Sequence, residues 1–248
     1  MIATALATAA ERLRAADRVT LLTGAGVSAA SGIPTFRGQG GLWRNFRAED
    51  LATPHAFHRD PGTVWAWYDW RRQLIAGAAP NAAHRVLATW TRRGPGWRLL
   101  TQNVDGLHER AGADRLVRLH GSIWHLRCAR GCTKDSWQDV SVPLVPLPPR
   151  CRYCANLARP AVVWFGEVLD PADLHAATEA TACDVFLAVG TSSVVYPAAS
   201  LLAEARRHGA FTIEINPAAT DASDVVNLAI AGPAEEILPE VDRQLTVR

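Results

Sequence analysis

Short, nearly continuous apolar runs alternate along the chain with longer segments in which apolar and polar residues are mixed. Such runs are typical of strands that are buried on both faces of a parallel sheet, and the mixed segments are typical of covering helices. The predicted strands are residues 18–22, 97–101, 117–119, 161–164, 184–189, 211–215 and 225–229. The predicted helices are residues 2–16, 61–78, 81–93, 171–182, 197–207 and 234–247. This alternation predicts an α/β protein with a Rossmann-like, doubly wound parallel sheet.

Two segments interrupt the alternation, residues 34–80 and residues 124–159. The first places about two helices between the first strand and the next helix. The second contains a proline-rich run, residues 142–149, that can form neither a regular helix nor a central strand. We expect both segments to be insertions that together form a smaller lobe. The predicted domains are therefore residues 1–33, 81–123 and 160–248 for the Rossmann-like part and residues 34–80 and 124–159 for the small lobe.

The composition is that of an ordinary globular protein, with 48% apolar and 20% charged residues. The formal net charge is only +2 and no basic block stands out, so nucleic acid is not an expected partner. No apolar stretch approaches the length of a transmembrane helix, and the N-terminus lacks the basic start and apolar run of a secretory signal. These features predict a cytoplasmic protein that does not engage a membrane.

Four of the five cysteines form two close pairs that are separated by 18 residues. They are Cys128, Cys132, Cys151 and Cys154. Without an export signal, clustered cysteines favour a metal site over disulfides, and two close pairs fit a tetrahedral zinc ion. The first pair has one residue more than the commonest spacing, and four unligated thiols are the alternative. Four thiolates leave no coordination position open, so the predicted zinc ion is structural.

A turn rich in small residues follows the first predicted strand and includes Gly24, Gly26 and Ser28. Small residues at a strand-to-helix turn let backbone N–H groups approach a pyrophosphate, although a tight turn without a ligand is the alternative. Ala29 stands where a dehydrogenase fingerprint has its third glycine, and no acidic residue ends a second strand about 20 residues later. The turn therefore indicates dinucleotide binding and weakens a redox interpretation.

This turn and the segment after it, residues 24–28 and 31–38, closely resemble the NAD-binding signature of the sirtuin family. Four later blocks agree with the family in the same order, at residues 101–108, 120–121, 163–167 and 190–193. The resemblance extends from about residue 19 to residue 232, which is almost the whole chain. It implies an NAD-dependent protein-lysine deacylase that acts on acyl-lysine proteins or peptides and gives free lysine, nicotinamide and O-acyl-ADP-ribose.

Several polar residues stand just after predicted strands, at the carboxyl ends where ligands of open α/β sheets bind. By resemblance to the sirtuins, His120 is the general base, and Asn103 and Asp105 complete the catalytic set. The resemblance implies that NAD is bound by Gly24, Ala25, Gly26, Ser28, Thr35, Phe36, Arg37, Gln102, Asn103, Asp105, His120, Gly190, Thr191, Ser192, Asn216 and Ala234. His108 matches only a motif position, and we expect it to be structural.

The acyl group is indicated by Tyr68 and Arg71, which are three residues apart and so share one face of a helix. A sirtuin subgroup that removes succinyl and malonyl groups carries the same pair, and a phenol with a guanidinium can bind a carboxylate. Arg72 is the fallback partner, and a solvent-facing arginine is the alternative. The resemblance also implies substrate contacts at Val163, Trp164, Phe165, Gly166 and Glu167.

Four other functions remain open. The chain could be mainly a deacetylase, or it could be an ADP-ribosyltransferase that uses the same cofactor. A redox enzyme and a non-catalytic binding module are less consistent with the residues, because the redox fingerprint is broken and both His120 and Asn103 are present.

Overall fold

A computed structural model describes residues 2–35, 47–191 and 198–246 of the chain. The helices in these ranges are Ile2–Ala15 (α1), Ala48–Leu51 (α2), Pro54–Arg59 (α3), Pro61–Gly77 (α4), Ala82–Thr91 (α5), Leu107–Arg110 (α6), Pro171–Ala180 (α7), Ala198–Arg207 (α8) and Ala234–Thr246 (α9). The strands are Val19–Thr23 (β1), Trp97–Thr101 (β2), Leu116–Arg118 (β3), Gly121–Cys128 (β4), Ser136–Gln138 (β5), Ala158–Val162 (β6), Val185–Val189 (β7), Phe211–Asn216 (β8) and Leu228–Ala231 (β9). A short 3₁₀ helix, Ala25–Ser31, follows β1.

The large sheet is parallel and has the order β3-β2-β1-β7-β8-β9. Counted among themselves along the chain, these strands have the order 3-2-1-4-5-6, which is the order of Rossmann dinucleotide-binding sheets. The direction of winding reverses between β1 and β7, and ligands of such sheets bind beyond the carboxyl ends of the strands at that point. The predicted Rossmann-like fold is confirmed.

Helices cover both faces of this sheet. One apolar core packs α1, α5 and α9 against the sheet, with Leu13, Leu87 and Leu238 at its centre. The opposite core contains residues of α7 and α8, among them Ala177 and Leu201. All five residues of β1 and of β7 are buried, as expected for strands with helices on both sides. The sheet is therefore doubly wound.

A second, antiparallel sheet has the order β5-β4-β6 and corrects one prediction. The apolar run at residues 161–164 was expected to form a strand of the parallel sheet, but the strand is β6, and it pairs with β4. Apolar content does not distinguish the two sheets, and β4 itself was not predicted. Gly121 at the start of β4 has a φ of 76°, and a Cβ there would lie 2.2 Å from the carbonyl oxygen of Ala161. Only glycine permits this crossing.

The small lobe has its own apolar core, to which both insertions contribute. Trp65 and Trp67 come from α4, and Cys128, Leu144 and Cys151 come from the cysteine-containing segment. Among its described residues, the first insertion contains three helices, α2 to α4, where about two were expected. The domain boundaries themselves stay a prediction. None of the helices in the described ranges combines the length and apolar character that crossing a bilayer requires.

Local capping explains where three of the helices begin. The carboxylate of Asp60 accepts a hydrogen bond from the Thr63 N–H at the start of α4, and Pro61 occupies the first turn. Asn81 caps α5, and Asp170 caps α7 in the same way.

The expected strand at residues 225–229 begins three residues later, at Leu228.

Candidate functional site

A cavity of about 480 Å³ lies at the carboxyl ends of the large sheet and continues against the small lobe. The ends of β2, β1, β7 and β8 each contribute to its wall. The lining residues that were predicted to bind NAD are Gly24, Ala25, Gly26, Thr35, Gln102, Asn103, His120, Gly190, Thr191 and Asn216. The cavity therefore sits at the switch point of the sheet, where the fold places ligands.

Two glycine turns cross each other in the floor of the cavity. Gly24 and Gly26 follow β1, and Gly190, with a φ of 58°, follows β7. A Cβ at Gly26 would lie 2.8 Å from the Cα of Gly190, and a Cβ at Gly190 would lie 2.5 Å from the nitrogen of Val27. Any side chain at these positions would separate the turns, so the floor of the cavity depends on glycine.

The imidazole of His120 is held in one tautomer. Its Nδ1 lies 3.0 Å from the carbonyl oxygen of Gln102, and since a carbonyl only accepts, Nδ1 carries the proton. Nε2 then keeps its lone pair in the neutral ring. Burial lowers the pKa of His120, while the bond to Gln102 acts in the opposite direction. A neutral imidazole with a free Nε2 is suited to accept a proton.

The ends of neighbouring strands are tied together by amide side chains. Gln102 Nε2, after β2, donates to the hydroxyl of Thr191 after β7 at 2.9 Å. Asn216 Nδ2, at the end of β8, donates to the carbonyl oxygen of Thr191 at 2.8 Å. Thr191 is thus held from both sides, which fixes the rim of the cavity.

Asp105 and Ser28 lie behind the cavity wall and do not belong to its described lining. The Ser28 hydroxyl donates to the Asp105 carboxylate at 2.7 Å and accepts from Asn103 Nδ2 at 3.2 Å. Burial raises the pKa of Asp105, and the N–H of Leu107 and the Ser28 hydroxyl oppose this shift. Asp105 therefore orients Asn103 through Ser28, and of these three residues only Asn103 faces the cavity.

Two further histidines support this network from the interior. His84 Nδ1 accepts from the Asn81 N–H, so its Nε2 carries the proton toward Ser28, 3.4 Å away. His108 Nε2 contacts the hydroxyl of Thr23 at 2.9 Å. Both rings are fully buried, and desolvation lowers the pKa of His84 to about 4 and that of His108 to about 3. The structure gives His108 a buried position in the interior, away from the cavity lining.

These buried histidines predict a pH-dependent stability. Each is neutral in the folded state but takes up a proton in the unfolded state below its ordinary pKa of about 6.5, so acid favours unfolding. We expect the free energy of unfolding to fall as the pH drops from 6.5 toward 4, and these two rings contribute up to about 2.7 kcal/mol per pH unit to the slope. Urea unfolding at a series of pH values measures this slope.

A substitution tests the assignment of this slope. His108→Asn should lower it by up to about 1.4 kcal/mol per pH unit, because the contribution of one titrating group is gone. The control His175→Ala removes an exposed histidine and should leave the slope unchanged. A stability that stays flat between pH 6.5 and 5 in the unaltered protein would show that neither buried ring resists protonation.

The far end of the cavity is formed by α4 and by the segment after β6. Tyr68 and Arg71 both line it, together with Trp67 and Trp164. The Tyr68 hydroxyl accepts from Trp164 Nε1 at 2.8 Å and finds no acceptor for its own proton among the described residues. The guanidinium of Arg71 lies 5.1 Å from the ring centre of Trp67. Burial raises the pKa of Tyr68 to about 12 and lowers that of Arg71.

Arg72 does not line the cavity, so the fallback prediction is wrong. Its side chain is completely buried and donates from Nη2 to the carboxylate and the carbonyl oxygen of Asp139, each at 2.7 Å, and to the carbonyl oxygen of Ser141. Asp69, also on α4, accepts from the Leu144 N–H at 2.7 Å. One face of α4 therefore holds the proline-rich segment, while the face with Tyr68 and Arg71 meets the cavity.

The segment after β6 is fixed by an ion pair that was not predicted. Arg159 donates to both carboxylate oxygens of Glu167, at 2.6 and 2.8 Å, and its guanidinium lies 3.4 Å from the ring centre of Trp164. The N–H of Trp164 also donates to Glu167. Glu167 thus holds the turn that presents the lining residues Val163, Trp164, Phe165 and Gly166.

Some predicted positions fall elsewhere. Phe36, Arg37 and Ser192 lie outside the described residues. Ala234 is buried at the start of α9 and is not part of the described lining. Lining residues that sequence reasoning missed include Glu49, Ala52, Val104, Val162, Leu169, Ala218, Ala219 and Thr220. The last three come two to four residues after the end of β8, and the rule that ligands bind beyond the carboxyl ends of strands could have found them.

The four clustered cysteines are positioned to bind one metal ion. All four Sγ atoms lie within 4.8 Å of one another, and none forms a disulfide. The Sγ atoms of Cys128 and Cys154 are 3.6 Å apart, and those of Cys132 and Cys151 are 3.7 Å apart. A tetrahedral ion with zinc–sulfur bonds of about 2.3 Å requires sulfur atoms about 3.8 Å apart, so the geometry fits zinc.

A Rossmann-like sheet, a cavity at its switch point and a four-cysteine site define a dinucleotide-binding class of α/β protein. The model of the Sir2 family matches residues 24–197, so the chain belongs to this family, as predicted. The NAD-dependent protein deacylase of Aquifex aeolicus is 48% identical over 224 residues, 90% of this chain and 93% of that protein.

Two solved structures extend the likeness. A Sir2 homologue in complex with NAD has a TM-score of 0.91 and 44% identity, and covers 96% of this chain and 93% of its own. A Sir2 protein bound to a myristoylated histone peptide has a TM-score of 0.78 and 32% identity, with 98% and 97% covered.

Proposed function

We propose that this chain is an NAD-dependent protein-lysine deacylase that transfers the acyl group of acyl-lysine to ADP-ribose. The observation that carries the proposal is His120, whose neutral, oriented imidazole lies in a cavity shared by the dinucleotide-binding edge and the small lobe. Family membership supports it, since the relatives that the chain matches are NAD-dependent protein deacylases.

The cavity has the extent that a dinucleotide requires. It touches the ends of four neighbouring strands, and with a strand spacing of about 4.8 Å this edge spans roughly 14 Å. The glycine turns after β1 and β7 suit the pyrophosphate, because backbone can approach it closely there. Asn103, Gln102 and His120 would then hold the nicotinamide end, and Asn216 the adenosine end.

The residues at the nicotinamide end have separate tasks. Bound NAD supplies an electrophilic sugar carbon once nicotinamide leaves. His120 accepts a proton at Nε2 from a sugar hydroxyl, because Nδ1 is already engaged with Gln102. Asn103 is oriented by Ser28 and Asp105, so its amide is preorganised. Val163, Trp164 and Phe165 exclude water around the arriving acyl-lysine tail.

Product analysis tests the deacylase against its alternatives. The protein is incubated with NAD and an acyl-lysine peptide, and we expect one nicotinamide and one O-acyl-ADP-ribose for each lysine that is freed. Formation of reduced cofactor would indicate a dehydrogenase instead. ADP-ribose that becomes attached to a protein without loss of acyl groups would indicate a transferase, and NAD binding without turnover would indicate a binding module.

The acyl groups that we propose are acidic ones, succinyl and malonyl. The Tyr68 hydroxyl offers a proton into the cavity, and a pKa of about 12 keeps that proton in place at neutral pH. Arg71 brings a positive charge to the same end, where burial lowers its pKa and so makes an anion a favourable neighbour. A phenol and a guanidinium together can bind the distal carboxylate of such an acyl group.

Substitutions of this pair should change the substrate preference. We expect the unaltered enzyme to act faster on succinyl-lysine than on acetyl-lysine peptide. Tyr68→Phe and Arg71→Met should each lower kcat/KM for the succinyl peptide by about tenfold or more, because a charge-assisted hydrogen bond is lost. The acetyl reaction should change by less than about threefold, since it does not use these bonds.

A matched arginine serves as the control. Arg59→Met removes an exposed arginine at the end of α3 and should leave both reactions as they were. Equal rates on both peptides before any substitution would refute the acidic pocket, and faster action on the acetyl peptide would make the enzyme mainly a deacetylase. The cytoplasmic location, the predicted domain boundaries and the substrate contacts at Gly166 and Glu167 stay predictions.

A further inference from the structure

One face of β8 is polar, although a strand with helices on both sides is usually apolar. Thr212, Glu214 and Asn216 occupy alternate positions and therefore point to the same face of the sheet. Thr212 is 0% exposed and Glu214 is 2% exposed. A carboxylate is buried at a large cost unless hydrogen bonds compensate it, so Glu214 requires an explanation beyond packing.

The contacts of Glu214 supply that explanation. One carboxylate oxygen accepts from the Thr220 hydroxyl and the other accepts from the Ser223 hydroxyl. The Thr220 oxygen also accepts from the Ala222 N–H at 3.1 Å, and the Ser223 oxygen accepts from the Thr220 N–H at 2.8 Å. Each hydroxyl has a single proton, and both protons point to Glu214. Only a group that accepts without donating satisfies this arrangement.

These bonds tether the β8–β9 loop, residues 217–227, to the strand beneath it. Ala218, Ala219 and Thr220 of this loop line the cavity, whereas Glu214 and Ser223 are not among its described lining residues. The far end of the loop is tied separately, because Asn227 Oδ1 accepts from the N–H and the hydroxyl of Thr212, each at 2.9 Å. The lining stretch Ala218–Thr220 lies between Asn216, which is bonded to Thr191, and the Thr220 tie, so it is held at both of its ends.

We propose that Glu214 and Ser223 are positioning residues for the dinucleotide. By fixing the β8–β9 loop they place its Ala218–Thr220 stretch against the adenosine end of the cavity, next to Asn216, and so set the affinity for NAD. The inference rests on the proposed function, which assigns the cavity to NAD. Because neither residue lines the cavity, an effect of either on NAD binding has to pass through the loop.

Steady-state kinetics of the full chain test this, with NAD and the acyl-lysine peptide varied in turn. Glu214→Gln should raise the KM for NAD by about tenfold, because its amide places a donor against a hydroxyl proton. Ser223→Ala should raise it by about threefold through the loss of one bond, and Ser223→Thr should restore it. The KM for peptide and the kcat at saturating NAD should stay within about twofold. Asp224→Asn, which removes a charge from the same loop, is the control and should behave as the unaltered enzyme.

The outcomes separate the tether from the proposed function. An NAD KM unchanged in both variants, or a kcat that falls as far as the KM rises, would overturn the positioning role. If Glu214→Gln does not fold, the comparison of Ser223→Ala with Ser223→Thr decides the question. Calorimetric titration with NAD should rank the affinities of the unaltered protein and its variants in the same order as the KM values, without turnover. If the variants follow this order of affinity but the unaltered protein releases no nicotinamide, deacylation would be refuted and the tether upheld.

Discussion

His120→Ala is expected to lower kcat/KM for the acyl-lysine peptide by about 10²- to 10⁴-fold, the range associated with removal of a general base. His120 is the one histidine among the described lining residues, and its neutral ring carries an oriented lone pair at Nε2. Its loss should leave NAD binding within a fewfold range, because the glycine turns and Asn216 remain. Initial rates of nicotinamide release measure the effect.

The pH profile of kcat/KM and a matched histidine variant test whether His120 acts as the general base. Burial lowers the pKa of His120, so the neutral base persists to lower pH, and kcat/KM should begin to fall only below the ordinary histidine value of about 6.5. This acidic limb should disappear in His120→Ala. His175→Ala removes an exposed histidine of α7 and should keep both the rate and the limb. Undiminished turnover in His120→Ala would remove the base from the mechanism.

Loss of the zinc site should unfold the small lobe. Structural zinc contributes on the order of 10 kcal/mol in small domains, which is comparable to the whole stability of a typical protein. Cys128 and Cys151 belong to the same apolar core as Tyr68 and Trp164, so the acyl end of the cavity should be lost as well. We expect Cys151→Ser to lose the metal and the activity together, with a change in tryptophan fluorescence.

The fifth cysteine provides the comparison. Cys183 is buried outside the cluster, in the core that α7 and α8 form against the large sheet. Cys183→Ser should therefore retain zinc and activity. Elemental analysis should find one zinc per unaltered chain. A metal content of zero in an active, folded enzyme would contradict a structural role for zinc.

The large sheet was predictable because its signal is local. Its central strands β1 and β7 are short apolar runs, and β1, β2 and β7 were predicted to within one residue. The small sheet was not predictable in this way. β4 mixes polar and apolar residues, and the pairing that places β6 beside it depends on a crossing at Gly121, which no single stretch of sequence reveals.

The site shows the same division between local and long-range information. Asn103 was a candidate because it follows a predicted strand, and Asn216 was assigned by resemblance to the family. Arg72 was misjudged because its partner Asp139 lies 67 residues away along the chain, and adjacent helix positions face different neighbours. Glu214 was missed because a glutamate within an apolar run carries no local sign of the hydroxyls that it binds.

The most direct measurement is a crystal structure of the unaltered chain with NAD and the acyl-lysine peptide that it turns over fastest. We predict that His120 Nε2 lies within about 3.2 Å of a hydroxyl of the nicotinamide ribose, with the acyl-lysine tail arriving between Trp164 and Tyr68. An imidazole that faces away from the bound sugar, or a peptide seated elsewhere, would contradict the account.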